Sequence, residues 1–526
     1  MNDSVIDRLV VGSGPAGVSA ASALAARGLK CVVVEPGLEL EPEKRALARE
    51  ATRIPVEEWD DARRAALAGN VDISAGGVGK KLVFGSDFAY RAAGPLTLER
   101  DGADLDVSHA RGGLGNVWGA AIGQYRREDL AGWPVRHEEL APYYDQVAEF
   151  MPVCGEHDGL DELFPLPARH GPLPKISPQL DLLYKRLDRR KAALSARGLT
   201  WGRARVALES GCVECGRCLT GCPFDLIYNP ASRLERLRRD GAVDYRPGLW
   251  VESVKERTDG VVEVSAVVLK DGSRTTLKAR KLFLAAGAIA STRVLMKSLG
   301  LSRARLRDSR IFHVPFLNFR GAPGFDERPF TLTQGSLEWD EPALSPHPLH
   351  YQIYAYNDFY STLIAKLLGP LAAPARPATR AFLSRFMIFQ GYLHSDQSGP
   401  IELELVSGGA DGDRLRLSSP EAPATEALAR KAARAFLKHA RAFGGVPLLP
   451  LFRLLGPGRG FHFGGSFPMS ASPKDGECDA LGRPKGFRNL HLVDAAAFPT
   501  IPAAPITYTI MANAYRIAER AAKEPA

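Results

Sequence analysis

Leu9 to Gly17 reads LVVGSGPAG: a short apolar run that halts at Gly12, a turn with further glycines at 14 and 17, then an alanine-rich stretch as far as Arg27. Strand, glycine turn, helix is the pattern of a nucleotide-binding βαβ unit. Gly12 permits the tight turn, Gly14 lets the backbone approach a pyrophosphate, and Gly17 lets helix pack on strand. The helix N-terminus that follows presents unpaired N–H groups to phosphate. A second apolar run, Cys31 to Val34, ends in Glu35, where a carboxylate can accept hydrogen bonds from a ribose hydroxyl. The unit covers 5–36 and predicts dinucleotide binding through Gly12, Gly14, Pro15, Ala16, Gly17 and Glu35, without separating FAD from NAD.

The rest of the chain is large enough to enclose such a cofactor. With 526 residues, 45% of them hydrophobic and 24% charged, it has the composition of a globular protein of two or three structural regions. The net charge of +8 comes from 68 basic and 60 acidic residues that are scattered, which argues against nucleic acid as a partner. The opening residues pass from a short acidic start into the first strand without a basic, then apolar, leader, so no signal peptide is expected. No apolar run reaches the ~18 residues needed to span a bilayer. The nearest candidate, Leu363 to Ala375, is interrupted by Lys366, Pro370 and Pro374. A soluble or peripheral protein is expected.

Seven cysteines are too few for a disulfide scaffold of this size, and four of them fall between Cys212 and Cys222. That favours a reducing, cytoplasmic setting. Cys212, Cys215, Cys218 and Cys222, the last followed by Pro223, have the spacing at which ferredoxins hold an iron-sulfur cluster. Structural zinc sites usually split their ligands between two distant knuckles, so this continuous run suits zinc less well. A four-iron cluster, a three-iron cluster and a packed thiol-rich loop without metal all remain open, because no second run exists to share the fourth cysteine. A cluster would pass electrons singly to an acceptor protein or quinone, favouring a dehydrogenase over an oxidase.

Near the far end, Asn489 to Ala518 reads NLHLVDAAAFPTIPAAPITYTIMANAYRIA: a short strand, an aspartate, a proline-rich loop, then a helix. This resembles the C-terminal signature of the glucose-methanol-choline (GMC) oxidoreductases. Three further segments resemble landmarks of that family in the same order: GGLGNVWG at Gly112 to Gly119, LFLAAGAIAS at Leu282 to Ser291, and HFGGSFPM at His462 to Met469. The last is closest to the pyranose-oxidase-like variants, and the gaps between Cys212, Cys218 and Cys222 resemble those of the three-iron ligands in membrane-linked sugar dehydrogenases of the family.

The resemblance implies an α/β FAD-binding (Rossmann-like) domain interleaved with an α+β substrate domain built on an antiparallel sheet. The first would cover 1–309, with a flavin loop at 109–122, a cysteine-rich insertion at 205–232 and return strands at 243–291. The substrate domain would cover 310–455, and 456–526 would return to the FAD domain carrying the active-site histidine. FAD would lie with Val251 near its adenine, Gly113 and Asn116 near its pyrophosphate or ring system, and Asp494 and Ala495 closing from the C-terminal side. Val117 stands where some relatives carry a flavin-linked histidine, so FAD is expected to be non-covalent.

Oxidising an alcohol requires a base for the hydroxyl proton as hydride leaves for the flavin, and His462 is the expected base. The family's second polar partner falls on Pro505, which has neither a side-chain donor nor an N–H. Thr507, Tyr508, Asn513 and His394 are the alternatives.

The middle of the chain, with stretches such as LHYQIYAYNDFY, alternates in the manner of an antiparallel sheet and suits a sugar or lipid alcohol. Asp358 to Phe386 reads as an amphipathic helix pair, a lid over the site in preference to a membrane or partner contact. The expected function is FAD-dependent oxidation of a sugar or glycoside hydroxyl. An oxygen-dependent oxidase and a non-catalytic electron-transfer flavoprotein are the alternatives.

Overall fold

A computed structural model describes residues 5–69, 80–325, 330–406 and 412–524. The strand Ile6–Val11 lies parallel between Cys31–Glu35 and Arg274–Leu284. Val243–Pro247 continues the parallel order beyond Cys31–Glu35, and Leu490–Leu492 pairs parallel with Arg274–Leu284. The antiparallel strands Val262–Val268 and Leu249–Glu256 complete this seven-stranded sheet. Strands covered on both faces read as continuous apolar runs, and Leu9, Val10, Val32, Val33 and Val34 are all buried.

The helix Pro15–Ala26 has proline at its first position, which fits because that N–H has no intrahelical partner. Its alanines let a neighbour approach closely. The helix Thr507–Ala521 packs there, with Ser19 Oγ donating to the Met511 carbonyl at 2.6 Å.

A second sheet is antiparallel, in the order Gly445–Pro447, Ile311–Asn318, Phe386–Tyr392, Leu349–Tyr354, Gly335–Trp339, Leu199–Arg203. Its edge strand Leu199–Arg203 comes from before residue 310, so this sheet draws on the span that the sequence reading assigned to the FAD domain. Side chains alternate between faces with period two. Phe312, Val314, Leu337, Tyr351, Ile353 and Phe389 turn to one side and form a core with Phe436 of the helix Pro423–Lys438. The opposite face carries His313, Glu338, His350, Gln352, Gln390 and Tyr392, all of which are polar and nearly all buried.

A third sheet joins Phe463–Gly464, Arg303–Asp308, Ile401–Val406, Asp413–Ser418 and Leu96–Asp101. It fixes the segment that bears His462. The helices Asp358–Leu368 and Arg376–Leu383 precede the strand Phe386–Tyr392. Tyr360 and Leu363 of the first reach the cavity described below, while Leu367 and Leu371 are exposed. Among the described residues no helix is long and apolar enough to cross a membrane.

Candidate active site

One cavity of about 780 Å³ runs from the glycine turn at Gly12 to His462, a size at which proteins enclose small organic ligands. Gly12, Gly14, Pro15, Ala16 and Glu35 line one end. The three glycines differ in why they are glycines. A Cβ on Gly12, at φ +98°, would stand 2.5 Å from the Ala285 carbonyl oxygen, and one on Gly17 would stand 1.9 Å from the Gly12 oxygen. Gly14 has no atom within 4 Å of that position. Gly17 therefore lies behind the wall and packs the turn, while the backbone of Gly14 faces open space, the cradle a pyrophosphate requires.

Glu35 accepts from the Ser13 N–H at 2.9 Å, the Ser13 hydroxyl at 2.6 Å and the Tyr245 hydroxyl at 2.8 Å. Burial pushes its carboxyl above the usual range, against those hydrogen bonds. Ser13 Oγ also accepts from the Gly112 N–H at 2.8 Å, joining the first turn to the second glycine loop. In that loop Gly113 lines the cavity. Asn116 does not; its amide donates to the carbonyls of Arg111 and Gly113 at 2.9 and 2.8 Å and its oxygen accepts from Asn229 at 2.9 Å, so its side chain shapes the loop.

Val251 lines the cavity beside Trp250, whose ring holds the Arg293 guanidinium 4.1 Å from its centre. Asp494 and Ala495 close the cavity from the last strand of the first sheet. Asp494 is buried and accepts from the N–H groups of Gly287 and Ala496 and from the Ser291 hydroxyl. Burial pushes its carboxyl up to about 6.

His462 follows Phe461, which has φ +56°, a left-handed conformation uncommon outside glycine. Its ring stacks on Tyr392, centroids 4.7 Å apart and planes 16° off parallel. Burial, with His350 acting in the same direction, pushes the imidazole down to about 3. His462 is thus neutral at ordinary pH, the form that can take a proton. Pro505 does not line the cavity, and of the alternatives to it only Thr507 does; Tyr508 is engaged with the Tyr144 carbonyl at 2.7 Å.

Beside His462 the polar face of the second sheet forms the cavity floor. Gln390 donates to the Tyr392 hydroxyl at 2.6 Å and to Gln352 Oε1 at 3.4 Å, and its own oxygen lies 3.2 Å from His313 Nε2. Tyr354 donates to Gln352 at 2.9 Å. These residues were missed in the sequence reading, although the alternation of LHYQIY places His350, Gln352 and Tyr354 on one face.

None of the four clustered cysteines lines the cavity, although Leu219 among them does. Burial pushes the Cys212 and Cys215 thiols up to about 12, with Cys212 feeling the charge of Cys215, Cys218 and Cys222, and Cys215 that of Cys218 and Cys222. Leu219 and Lys81 line the cavity, and Lys81, which donates to the Trp118 carbonyl at 3.1 Å, senses Cys218 and Cys222.

A glycine cradle open to phosphate and a buried histidine thus lie at the two ends of one cavity, the layout a nucleotide-cofactor site requires. Comparison with known proteins agrees. Residues 7–41 match the FAD binding domain and residues 454–514 match the GMC oxidoreductase C-terminal domain. The chain is 26% identical over 318 residues to paromamine 6'-oxidase of Streptomyces fradiae, covering 57% of this chain and 50% of that protein. It is 28% identical over 325 residues to 6'''-hydroxyparomomycin C oxidase of Streptomyces lividus, covering 56% and 50%. The chain thus spans about half the length of these curated relatives.

Among solved structures, pyridoxine 4-oxidase from Mesorbium loti superposes with a TM-score of 0.60 at 16% identity, covering 99% of this chain and 100% of that one. A fungal aryl-alcohol oxidase gives 0.62 at 13% identity, covering 99% of each. In its glycine turn and its C-terminal segment the chain is thus similar to the GMC oxidoreductases.

Proposed function

We propose that this protein oxidises a hydroxyl of a sugar or aminoglycoside-like alcohol, with FAD bound non-covalently along Gly12, Gly14, Glu35, Val251, Asp494 and Ala495. Bound FAD would supply the hydride acceptor. His462 takes the hydroxyl proton, since its ring is neutral and its surface opens into the cavity. The floor formed by Gln352, Gln390, Tyr354 and His313 offers both donors and acceptors, which suits a substrate carrying several hydroxyls better than one with a bare apolar face. The observation that carries this reading is the single cavity that joins the Gly14 cradle to His462 over that floor.

The test is anaerobic flavin bleaching with paromamine, glucose, pyridoxine and benzyl alcohol in turn. Bleaching by a polyhydroxylated member, lost in His462→Gln with FAD retained, supports the reading. No bleaching by any of them, or bleaching unaffected by His462→Gln, overturns it.

A second reading concerns the electron acceptor. Cys212 lies near enough to Cys215, Cys218 and Cys222 to feel their charge, and the spacing of the four along the chain is that of thiolates that hold an iron-sulfur cluster. Cys212, Cys215, Cys218 and Cys222 would hold it, supplying one-electron transfer beside the flavin wall to an acceptor protein or quinone. This favours a dehydrogenase over the oxygen-dependent alternative. Iron and acid-labile sulfide in anaerobically purified protein, lost in Cys218→Ser, support it. Iron-free protein that releases peroxide with substrate overturns it.

A further inference from the structure

Glu338 and His350 face each other across adjacent antiparallel strands, where Glu338 Oε1 holds His350 Nδ1. They are 3% and 2% exposed. An ionised carboxylate only accepts, so it keeps the proton of a neutral His350 on Nδ1 and leaves Nε2 as a lone-pair acceptor. That nitrogen is buried and has no partner. On the next strand the register partner of His350 is Tyr392, with ring centroids 5.9 Å apart. Tyr392 is also the ring on which His462 stacks. His462 Nδ1 is likewise buried without a partner, and its ring shares Tyr392 as a neighbour with that of His350.

Buried polar atoms are rarely left unpaired, and two that flank one tyrosine call for a shared explanation. A base that takes a proton on Nε2 must carry its own on Nδ1. His462 therefore needs an acceptor behind it, and His350 Nε2 is an acceptor without a donor. We propose that Glu338 and His350 are positioning residues for His462: one buried water accepts the His462 Nδ1–H and donates to His350 Nε2, which leaves His462 Nε2 bare toward the substrate. A water needs two or more polar partners to occupy such a place, and both are present. No proton moves along this line. The substrate proton ends on His462 Nε2, and the charge it brings is faced, through His350, by the Glu338 carboxylate. The arrangement supplies from the sheet the polar support that Pro505 withholds.

This inference rests on His462 being the base, and the test separates the two. In holoenzyme labelled with ¹⁵N-histidine, the His462 ring is assigned by its loss in His462→Gln. The expected spectrum shows Nδ1 protonated and Nε2 bare, with that preference lost in His350→Phe and in Glu338→Gln. Flavin bleaching by the best alcohol of the panel should slow about 100-fold in both variants. KM and FAD content should be kept, and Glu338→Asp should restore part of the rate.

A wild-type His462 protonated on Nε2 overturns the proposal whatever the variants do. So does an unchanged tautomer and rate in Glu338→Gln. If no alcohol bleaches the wild type, the proposed reaction falls, while the tautomer still decides the positioning role.

Discussion

The Ser291 hydroxyl donates to Asp494 Oδ2 at 2.5 Å, joining the helix Ala288–Leu299 to the turn that follows the strand Leu490–Leu492. Asp494 spends every hydrogen bond it has on donors: this hydroxyl and the N–H groups of Gly287 and Ala496. Asp494→Asn sets an amide N–H₂ against N–H groups in a buried place. The expected loss is about 2 kcal/mol of stability, with FAD released on dialysis. Ser291→Ala, which removes one of three donors, should cost about 1 kcal/mol. Thermal unfolding with flavin absorbance on the same sample checks both.

Gly14 and Gly17 should part company when changed to alanine. At Gly17 the new methyl collides with the Gly12 carbonyl 1.9 Å away, so Gly17→Ala should fail to accumulate as folded protein. At Gly14 the methyl meets nothing in the protein. Gly14→Ala should fold with an unchanged melting temperature when stripped of cofactor, yet bind FAD at least 10-fold more weakly in a fluorescence titration, because the methyl occupies the pyrophosphate's approach.

Gln390 holds the centre of the polar floor, bonded to Tyr392 and Gln352. Gln390→Leu should lower kcat/KM for a polyhydroxylated alcohol by about 10- to 100-fold. The rate with benzyl alcohol should change little. A drop of equal size for both would show that the floor supports the fold and does not choose the substrate.

Acid should unfold the protein early. Burial holds His109, His313 and His491 near 4 and His462 near 3, whereas the unfolded chain protonates them near 6.5. Between these values the unfolded state holds more protons, so stability falls as pH falls. Asp308 and Asp494, pushed up to about 6 by burial, act the other way, binding protons on folding between about 4 and 6. Glu35 and Asp225, also raised by burial, act with them, but His394 and His439 are lowered as well, so six histidines outnumber four carboxyls. The melting temperature is expected to drop from pH 6.5 to pH 4. For the fully buried His491 the slope is about 1.4 kcal/mol per pH unit, so His491→Gln should make the drop shallower.

The glycine turn was legible because phosphate binding demands small residues at fixed spacing, and Glu35 because the second strand must end where a ribose would lie. Alternation in LHYQIY revealed the strand Leu349–Tyr354 for the same local reason. What stands opposite is not local: His350 meets Glu338 and Tyr392 only through strand register, and Gln390 meets Gln352 only after two strands pair. Asn116 shows the converse. Its place in the loop was readable, but its side chain turns to Arg111, Gly113 and Asn229, the last contributed by a segment far along the chain. The cysteine spacing placed four thiols in one loop, but no spacing rule connects that loop to Lys81, which senses Cys218 and Cys222.

The helix Pro15–Ala26 is among the first elements of this sequence to be made, yet its alanine face is covered by the helix Thr507–Ala521, and Ser19 bonds to Met511. The sheet beside it also waits for Leu490–Leu492. On the ribosome, then, the phosphate cradle emerges early and stays unfinished until almost all of this sequence has been translated. A ligand of the cradle therefore meets its full wall only once segments nearly five hundred residues apart have packed together.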